Sequence, residues 1–167
     1  VLNQIAQLVP RALDLGFEVC VGAEDASRAD PDFLYQAAEA AQVAGAQRFR
    51  FADTLGLLDP FAAYRHIAQL RRTVDLDIEM HAHDDLGMAT ANTVAAVLAG
   101  ATHINTNVNG LGERAGNAPL EEVVMALRLV HSLETGIDTR RFPAISRLVS
   151  AASGRPEAAN KSIVGES

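Results

Sequence analysis

Residues 77–100, DIEMHAHDDLGMATANTVAAVLAG, contain one complete strand, loop and helix. The segment DIEMHA (77–82) predicts a short buried strand, and HDDLG (83–87) predicts a polar loop. Residues 88–99 predict a helix of mostly small side chains, which Gly100 ends. This stretch therefore predicts one βα unit with polar residues directly after its strand.

The same order of strand, polar loop and helix recurs along the chain. Asp-Pro pairs at 30–31 and 59–60 predict the starts of two helices, whose packed faces are expected to include Phe33, Phe61 and Tyr64. Regular alternation of strands and helices is typical of a parallel sheet, either closed as a (β/α)8 barrel or open. The other predicted strands are FEVCV (17–21), RFRFA (48–52) and HINTNV (103–108), and further helices are predicted over about 2–13, 119–134 and 142–153.

Polar residues follow every predicted strand. Because the carboxyl ends of parallel strands lie at one edge of the sheet, these residues are expected to meet where such folds build their active sites. The four groups are Glu24 and Asp25, Asp53 and Thr54, His81 to Asp85, and Asn107 to Asn117.

Composition excludes several classes of protein. The 167 residues suffice for one domain, and 49% of them are hydrophobic. A net charge of −7 argues against binding to nucleic acid or to an anionic membrane. Cys20 is the single cysteine, which rules out an internal disulfide and a cysteine-type zinc cluster. With no long apolar run or signal peptide in the sequence, the predicted location is the cytoplasm.

Two interpretations of the histidine pair follow from the residues alone. Side chains alternate along a strand, so Glu79, His81 and His83 share one face, and two imidazoles there can converge on one cation. The other interpretation is two hydrogen-bonded histidines at the end of a strand. Asn117 likewise either caps the following helix or offers its carbonyl oxygen to a hard cation.

The remaining loop residues also have simple structural interpretations. Asp53 and Thr54 fit a turn, and Glu24 with Asp25 fits solvated charge. The loop NGLGERAGN (109–117) is either a flexible connector with a Glu113–Arg114 surface pair or a segment whose glycines allow close approach to a ligand.

Three stretches resemble one enzyme family: GAEDASRAD, RFADTLG and the long segment from HAHDDLG to GLGERAGNAPLEEVVMAL. The matches span residues 20–125 and are similar to the metal-dependent TIM-barrel enzymes that condense acyl-CoA, among them the isopropylmalate, citramalate and homocitrate synthases. Hydroxymethylglutaryl-CoA lyase is a more distant member. Within the family, EDASRAD, RFADTLG and NVNGLGERAGNA are most similar to the homocitrate synthases of nitrogen fixation.

The resemblance implies a role for individual residues. His81, His83 and Asn117 would bind a divalent cation, Mg²⁺ or Mn²⁺ with Zn²⁺ as an alternative, and Thr54 would receive a carboxylate of the 2-oxo acid. Glu24 would lie near the reacting carbons, and the acidic Glu79 would support the metal ligands. Acetyl-CoA and 2-oxoglutarate are the implied substrates, and a homodimer is the implied state of the full-length enzyme.

The chain also departs from the family pattern. It lacks the first-strand Arg-Asp pair, which supplies the acidic metal ligand, and a later segment with a catalytic histidine. We therefore expect residues 1–136 to form the C-terminal half of a barrel, strands five to eight, and residues 137–167 to be a helix and linker that begin the C-terminal region. The alternatives are an isopropylmalate or citramalate synthase, or a non-catalytic half-barrel subunit whose barrel is completed by another chain.

Overall fold

The computed structural model describes residues 1–166, which form a four-stranded sheet covered by helices. The strands are β1 (Cys20–Ala23), β2 (Arg48–Asp53), β3 (Asp77–Ala82) and β4 (His103–Asn105). The helices are α1 (Leu2–Asp14), α2 (Pro31–Val43), α3 (Pro60–Thr73), α4 (Ala89–Leu98), α5 (Leu120–His131) and α6 (Phe142–Ser153). Three short 3₁₀ helices cover Ala26–Arg28, Val108–Gly110 and Thr139–Arg141.

All strand pairs are parallel, and the order in the sheet is the order in the sequence, β1-β2-β3-β4. The predicted parallel βα arrangement is therefore confirmed. Because every strand runs the same way, the four loops that follow the strands lie at one edge of the sheet.

Two predicted strands have different bounds in the structure. FEVCV (17–21) begins too early, because the backbone N–H of Phe17 still donates to Ala12 at the end of α1, and β1 starts only at Cys20. HINTNV (103–108) ends too late, because Asn107 leaves the sheet register and donates its backbone N–H to the carbonyl of Ala118.

The two faces of the sheet differ in polarity. The face toward the helices is apolar and fully buried, and it includes Phe49 and Phe51 of β2 and Ile78 and Met80 of β3. Burying one such side chain contributes about 1.5–3 kcal/mol. The opposite face carries charged and polar side chains, and it leads to the edge where the loops meet.

The predicted Asp-Pro helix starts are confirmed. The carboxylate of Asp30 accepts the backbone N–H of Phe33 at 2.9 Å, and Asp59 accepts those of Phe61 and Ala62 at 2.8 and 2.9 Å. The predicted packed faces are wrong at three aromatic residues, since Phe33, Phe61 and Tyr64 are exposed. In α3 the buried positions are instead Ala63, Ile67 and Leu70, which share a different helical face.

The C-terminal region packs against the sheet domain. The predicted helix over 142–153 is confirmed as α6, and the side-chain amide of Asn109 donates to Ser146 and Ser150 of that helix. Lys161 forms an ion pair of 2.6 Å with Glu122 of α5. The predicted division at residues 136 and 137 stays a prediction, and Ser167 lies outside the described residues.

No helix within residues 1–166 has both the length and the apolar character needed to span a membrane.

Candidate functional site

The polar face of the sheet carries two ion pairs that cross between strands or their loops. Arg48 of β2 pairs with Glu79 of β3 at 3.0 Å, and Arg50 of β2 pairs with Glu24, just after β1, at 2.5 Å. The strand register explains the first contact. Arg50 of β2 is the direct neighbour of Glu79 on β3, and Arg48 lies two residues earlier on the same face of β2, within reach of Glu79. Glu79 therefore has a cationic partner, which a buried carboxylate needs.

His81 lies at the end of β3 with one ring nitrogen fixed by a neighbour. Its Nδ1 lies 3.1 Å from Oδ1 of Asn105 on β4, so the proton belongs on Nδ1 and the lone pair on Nε2. Burial, followed by the neighbouring His83, lowers the pKa of His81 and favours the neutral imidazole. A neutral imidazole oriented by a hydrogen bond through its other nitrogen is typical of a metal ligand.

His83 lies two residues after His81 in the sequence, and the two rings are close in space. The two ring centroids are 5.0 Å apart, and the rings are nearly perpendicular. His83 is buried, and its Nδ1 has no hydrogen-bond partner within residues 1–166. The expectation that both imidazoles gather at one place is therefore met.

Asn117 faces His83 across an isolated antiparallel bridge between the two residues. Its amide nitrogen donates to the carbonyl of Leu111 at 3.2 Å, and its Oδ1 is buried without a partner among the described residues. The interpretation of Asn117 as a helix cap is wrong, because Pro119 holds the N-cap position of α5 and no side chain caps it. The structure thus leaves the amide oxygen free for another role.

The donor set formed by His81, His83 and Asn117 fits a divalent cation. Within residues 1–166, no three His, Cys, Asp or Glu side chains form a metal-binding group, so the asparagine oxygen is the third donor at hand. Nδ1 of His83 and Oδ1 of Asn117 are buried and have no hydrogen-bond partner in the described part of the chain, and burying such atoms unpaired costs free energy. A cation with nitrogen and oxygen ligands would satisfy both.

Thr54 connects the loops after β1 and β2. Its hydroxyl oxygen accepts the backbone N–H of Asp25 at 2.7 Å, and the hydroxyl lies 3.4 Å from Oε2 of Glu24. The second distance is long for a bond between oxygens, so the hydroxyl proton is available to a closer acceptor such as a carboxylate.

Glu24 is held in the ionised state. The hydrogen bond from Arg50 is the main cause that lowers the pKa of Glu24, and the weaker bond from Thr54 acts in the same direction. The contact places the carboxylate above β2, on the same side of the sheet as His81. A lowered pKa makes Glu24 a weak base, which does not favour a role in proton abstraction.

The neighbouring aspartates have structural partners. Asp53 is fully buried and accepts the backbone N–H groups of Leu57 and Leu58, which confirms its interpretation as a turn residue. Asp84 accepts the backbone N–H of Ala89 at the start of α4. Asp85 pairs with Arg114, so the interpretation of Arg114 as the partner of Glu113 is wrong.

The sequence patterns did not indicate two residues of this edge, Arg50 and Asn105, and they assigned Arg114 the wrong partner. Alternation along β2 places Arg50 on the same face as Arg48, and that spacing was a usable signal. The contact of Asn105 with His81 depends on the register between β3 and β4, which the sequence does not show.

Comparison with known proteins gives the family background. The profile of the family described as HMGL-like matches residues 1–149. The chain is 54% identical over 166 residues to 2-isopropylmalate synthase 2 of Caldanaerobacter subterraneus subsp. tengcongensis, covering 99% of this chain and 43% of that protein. It is 50% identical to homocitrate synthase 1 of Nostoc sp. and 52% identical to homocitrate synthase of Frankia alni, covering 44% and 47% of those proteins.

The chain therefore spans less than half the length of these relatives. Among solved structures, the HMG-CoA lyase of Bacillus subtilis superposes with a TM-score of 0.81 at 21% identity, over 93% of this chain and 56% of that one. The lyase of Pseudomonas aeruginosa gives 0.80 at 23% identity, with the same coverage of both chains. At such identities the likeness concerns the fold alone, and it confirms the prediction that the chain forms part of a (β/α)8 barrel.

Proposed function

Because the chain belongs to the HMGL-like family, we propose that it supplies the metal and 2-oxo acid sites of a homocitrate synthase. The overall reaction would join acetyl-CoA, 2-oxoglutarate and water to give homocitrate and free CoA. Homocitrate would serve the nitrogenase cofactor, as the similarity to the enzymes of nitrogen fixation implies. The two homocitrate synthases described above, at 50% and 52% identity, support this choice.

One observation carries the proposal: at the carboxyl edge of the sheet, two imidazoles lie together near an amide oxygen that has no partner among residues 1–166. His81 and His83 have adjacent rings, and Asn117 is bridged to His83. The unpartnered atoms on His83 and Asn117 support a cation site in preference to a histidine pair that serves packing alone. Mg²⁺ or Mn²⁺ suits this mixture of nitrogen and oxygen donors, and Zn²⁺ is the alternative.

When bound by these three residues, the cation would act as a Lewis acid toward the ketone and carboxylate oxygens of the 2-oxo acid. The protein's own part is to orient the donors. Asn105 fixes the ring of His81, and the bond to Leu111 fixes the amide of Asn117. Such supporting contacts typically matter about 10–100-fold for metal affinity or activity.

Thr54 and Glu24 would lie beside the substrates rather than bind the cation. The hydroxyl of Thr54 can turn from Glu24, 3.4 Å away, to donate to a substrate carboxylate. The contact with Arg50 would fix the position of the ionised Glu24 near the reacting carbons, as the family resemblance implies. In the full-length enzyme we expect a homodimer.

The test uses the full-length protein that contains this chain. We expect His81→Ala and His83→Ala to weaken Mn²⁺ binding and to lower the rate of CoA release by orders of magnitude. His103→Ala is the matched control, because His103 lies on β4 and its Nδ1 contacts only the hydroxyl of Thr102 among the described residues. Wild-type Mn²⁺ affinity in both histidine variants would rule out this metal site.

The second candidate is an isopropylmalate synthase, favoured by the 54% identity to the enzyme of Caldanaerobacter. The two functions differ in the 2-oxo acid, so kcat/KM for CoA release should be compared with 2-oxoglutarate, 2-oxoisovalerate and pyruvate. We expect the highest value with 2-oxoglutarate. A higher value with 2-oxoisovalerate would assign the protein as an isopropylmalate synthase, and one with pyruvate as a citramalate synthase. No turnover with any of the three would favour the non-catalytic half-barrel.

A further inference from the structure

The loop over residues 109–117 carries Asn117, yet its backbone is unlike a flexible connector. Asn109 and Arg114 both have positive φ angles, 62° and 54°, which L residues seldom adopt. The backbone N–H of Gly116 donates to Glu113 at 2.8 Å, and that of Asn117 donates to Gly110 at 3.0 Å. The loop is therefore folded on itself in a conformation that needs support from outside.

Arg114 provides contacts from this loop to two others. Its Nε and Nη2 donate to the two carboxylate oxygens of Asp85 at 2.8 and 2.9 Å, in the loop after β3. Its Nη2 also donates to the backbone carbonyl of Thr54 at 2.6 Å, in the loop after β2. One guanidinium thus joins the loops that follow three neighbouring strands.

The fork geometry distinguishes this contact from an ordinary surface ion pair. A bidentate arrangement fixes direction as well as distance, and only arginine offers it. The loops after β2 and β3 also approach closely at Gly56, whose φ is +61° and where an added Cβ would lie 2.9 Å from the backbone N of Asp85 and from the carbonyl O of His83. The two loops are therefore in close contact at Gly56, where a larger residue would force them apart.

The contact extends to the residues of the proposed site. Thr54, whose carbonyl binds Arg114, also accepts the N–H of Asp25 in the loop after β1. Asp85 follows His83 by two residues, and Arg114 precedes Asn117 by three. A shift of the Arg114 guanidinium would therefore move the hydroxyl of Thr54 relative to the proposed metal ligands His83 and Asn117.

We propose that Arg114 is a positioning residue that locks the 109–117 loop onto the loops after β2 and β3, and so holds Asn117 beside His83 and Thr54. This inference rests on the proposed function for its effect on metal and substrate. Its structural part, the ordering of the loop, stands separately and can be measured without any ligand.

The experiment compares Arg114→Gln, Arg114→Lys and Asp85→Asn in the full-length protein. Arg140→Gln is the matched control, because it breaks a bidentate pair with Asp138 of the same 2.8 and 2.9 Å geometry that does not join the strand loops. Hydrogen exchange at the amides of Gly116 and Asn117 reports on the loop. Titration with Mn²⁺ and the separate values of kcat and KM for the 2-oxo acid report on the site.

We expect exchange at both amides to rise at least about tenfold in Arg114→Gln and Asp85→Asn, and the Kd for Mn²⁺ to rise about 10–100-fold, as for other residues that orient metal ligands. Arg114→Lys should not restore either value, because lysine lacks the fork. A double variant that combines Arg114→Gln with Asp85→Asn should show no larger effect than Arg114→Gln alone. The melting temperature of these variants should fall no further than that of Arg140→Gln.

Unchanged exchange at Gly116 and Asn117 in Arg114→Gln would overturn the proposal, as would additive effects in the double variant. Full rescue by lysine would also overturn it, by showing that charge alone suffices. If the wild-type protein binds no Mn²⁺, the proposed function fails, and the exchange measurement still decides whether Arg114 locks the loop.

Discussion

At the residue scale, the position of Asn117 depends on the absence of a side chain at Gly112. A Cβ added at Gly112 would overlap Nδ2 of Asn117 and lie 3.1 Å from its Cγ. The backbone angles of Gly112 are not in the left-handed region, so steric conflict with the amide is the main consequence of adding a methyl group. A substitution at Gly112 should therefore displace the side-chain amide of Asn117 while leaving Asn117 itself unchanged.

We predict that Gly112→Ala in the full-length protein raises the Kd for Mn²⁺ by about tenfold or more, because the added methyl group would displace the amide of Asn117 from its position. Isothermal titration measures the change. The same substitution in an Asn117→Ala background should add nothing, and a further loss there would show that Gly112 acts by another route.

Glu121 is a second residue whose environment has a measurable consequence. It is buried in the first turn of α5, where one carboxylate oxygen accepts the backbone N–H of Asn109 and the other has no partner within residues 1–166. Burial is the main cause that raises the pKa of Glu121. The folded state therefore holds a proton that the unfolded chain releases at lower pH.

The free energy of unfolding should then fall as the pH rises from the ordinary carboxyl pKa to the raised value, by about 1.4 kcal/mol for each unit of difference. We predict that Glu121→Gln removes this part of the pH dependence and is more stable than wild type at neutral pH. Urea denaturation across the acidic range measures it, with the exposed Glu39→Gln as control. Equal pH profiles for wild type and Glu121→Gln would contradict the assignment.

The residues also show how far sequence reasoning reaches. The histidine pair and the Asp-Pro caps were predictable, because strand alternation and helix capping act over a few neighbouring residues. The role of Asn117 was not predictable, because its position before a helix favoured a cap, whereas Pro119 holds the N-cap position of α5 in the structure. The pairing of Arg114 with Asp85 spans 29 residues and depends on how two loops fold.

At the element scale, β2 and α3 show which apolar side chains support the sheet. Phe49 of β2 is fully buried, whereas Phe61 of α3 is 76% exposed, although the sequence pattern placed Phe61 in the packed face. The hydrophobic periodicity predicted the helix α3 correctly but not which of its faces packs against the rest of the protein. Aromatic residues near the start of α3 made the apolar face look wider than the buried one.

We predict that Phe49→Ala lowers the free energy of unfolding by about 3–5 kcal/mol, since it leaves a cavity under the helices. Phe61→Ala should cost less than about 0.5 kcal/mol, as expected for an exposed side chain. Urea denaturation of the two variants compares them directly. Equal losses would mean that the face of α3 bearing Phe61 is covered in the intact protein.

At the scale of the whole molecule, the described sheet has two unpaired edges. Within residues 1–166, β1 pairs only with β2 and β4 pairs only with β3. Apolar side chains beside these edges are open to solvent, among them Phe17 near β1 and Leu133 near β4, which are 64% and 40% exposed. Unpaired strand edges bind other strands readily.

We predict that a protein consisting of residues 1–167 self-associates, because two such edges remain uncovered. Light scattering after size-exclusion chromatography gives the mass in solution. A stable monomer that releases CoA at the rate of the full-length enzyme would contradict both the open-edge argument and the expectation that further ligands lie outside this chain.

The four βα repeats predicted a parallel sheet, either closed or open, and the resemblance to the TIM-barrel family implied the closed barrel. The relative placement of the loops was not predictable, because contacts such as that of Thr54 with Asp25 join segments far apart in the chain. Relatives with different names match this chain about equally well, so similarity alone does not choose among the proposed 2-oxo acids.

Anomalous diffraction can show whether His81, His83 and Asn117 bind one divalent cation. A crystal of the full-length protein soaked in Mn²⁺ would be measured at a wavelength where manganese scatters anomalously. We expect one strong manganese peak within bonding distance of both imidazoles and of Oδ1 of Asn117. A manganese peak elsewhere in the barrel, with none between these three side chains, would contradict this expectation.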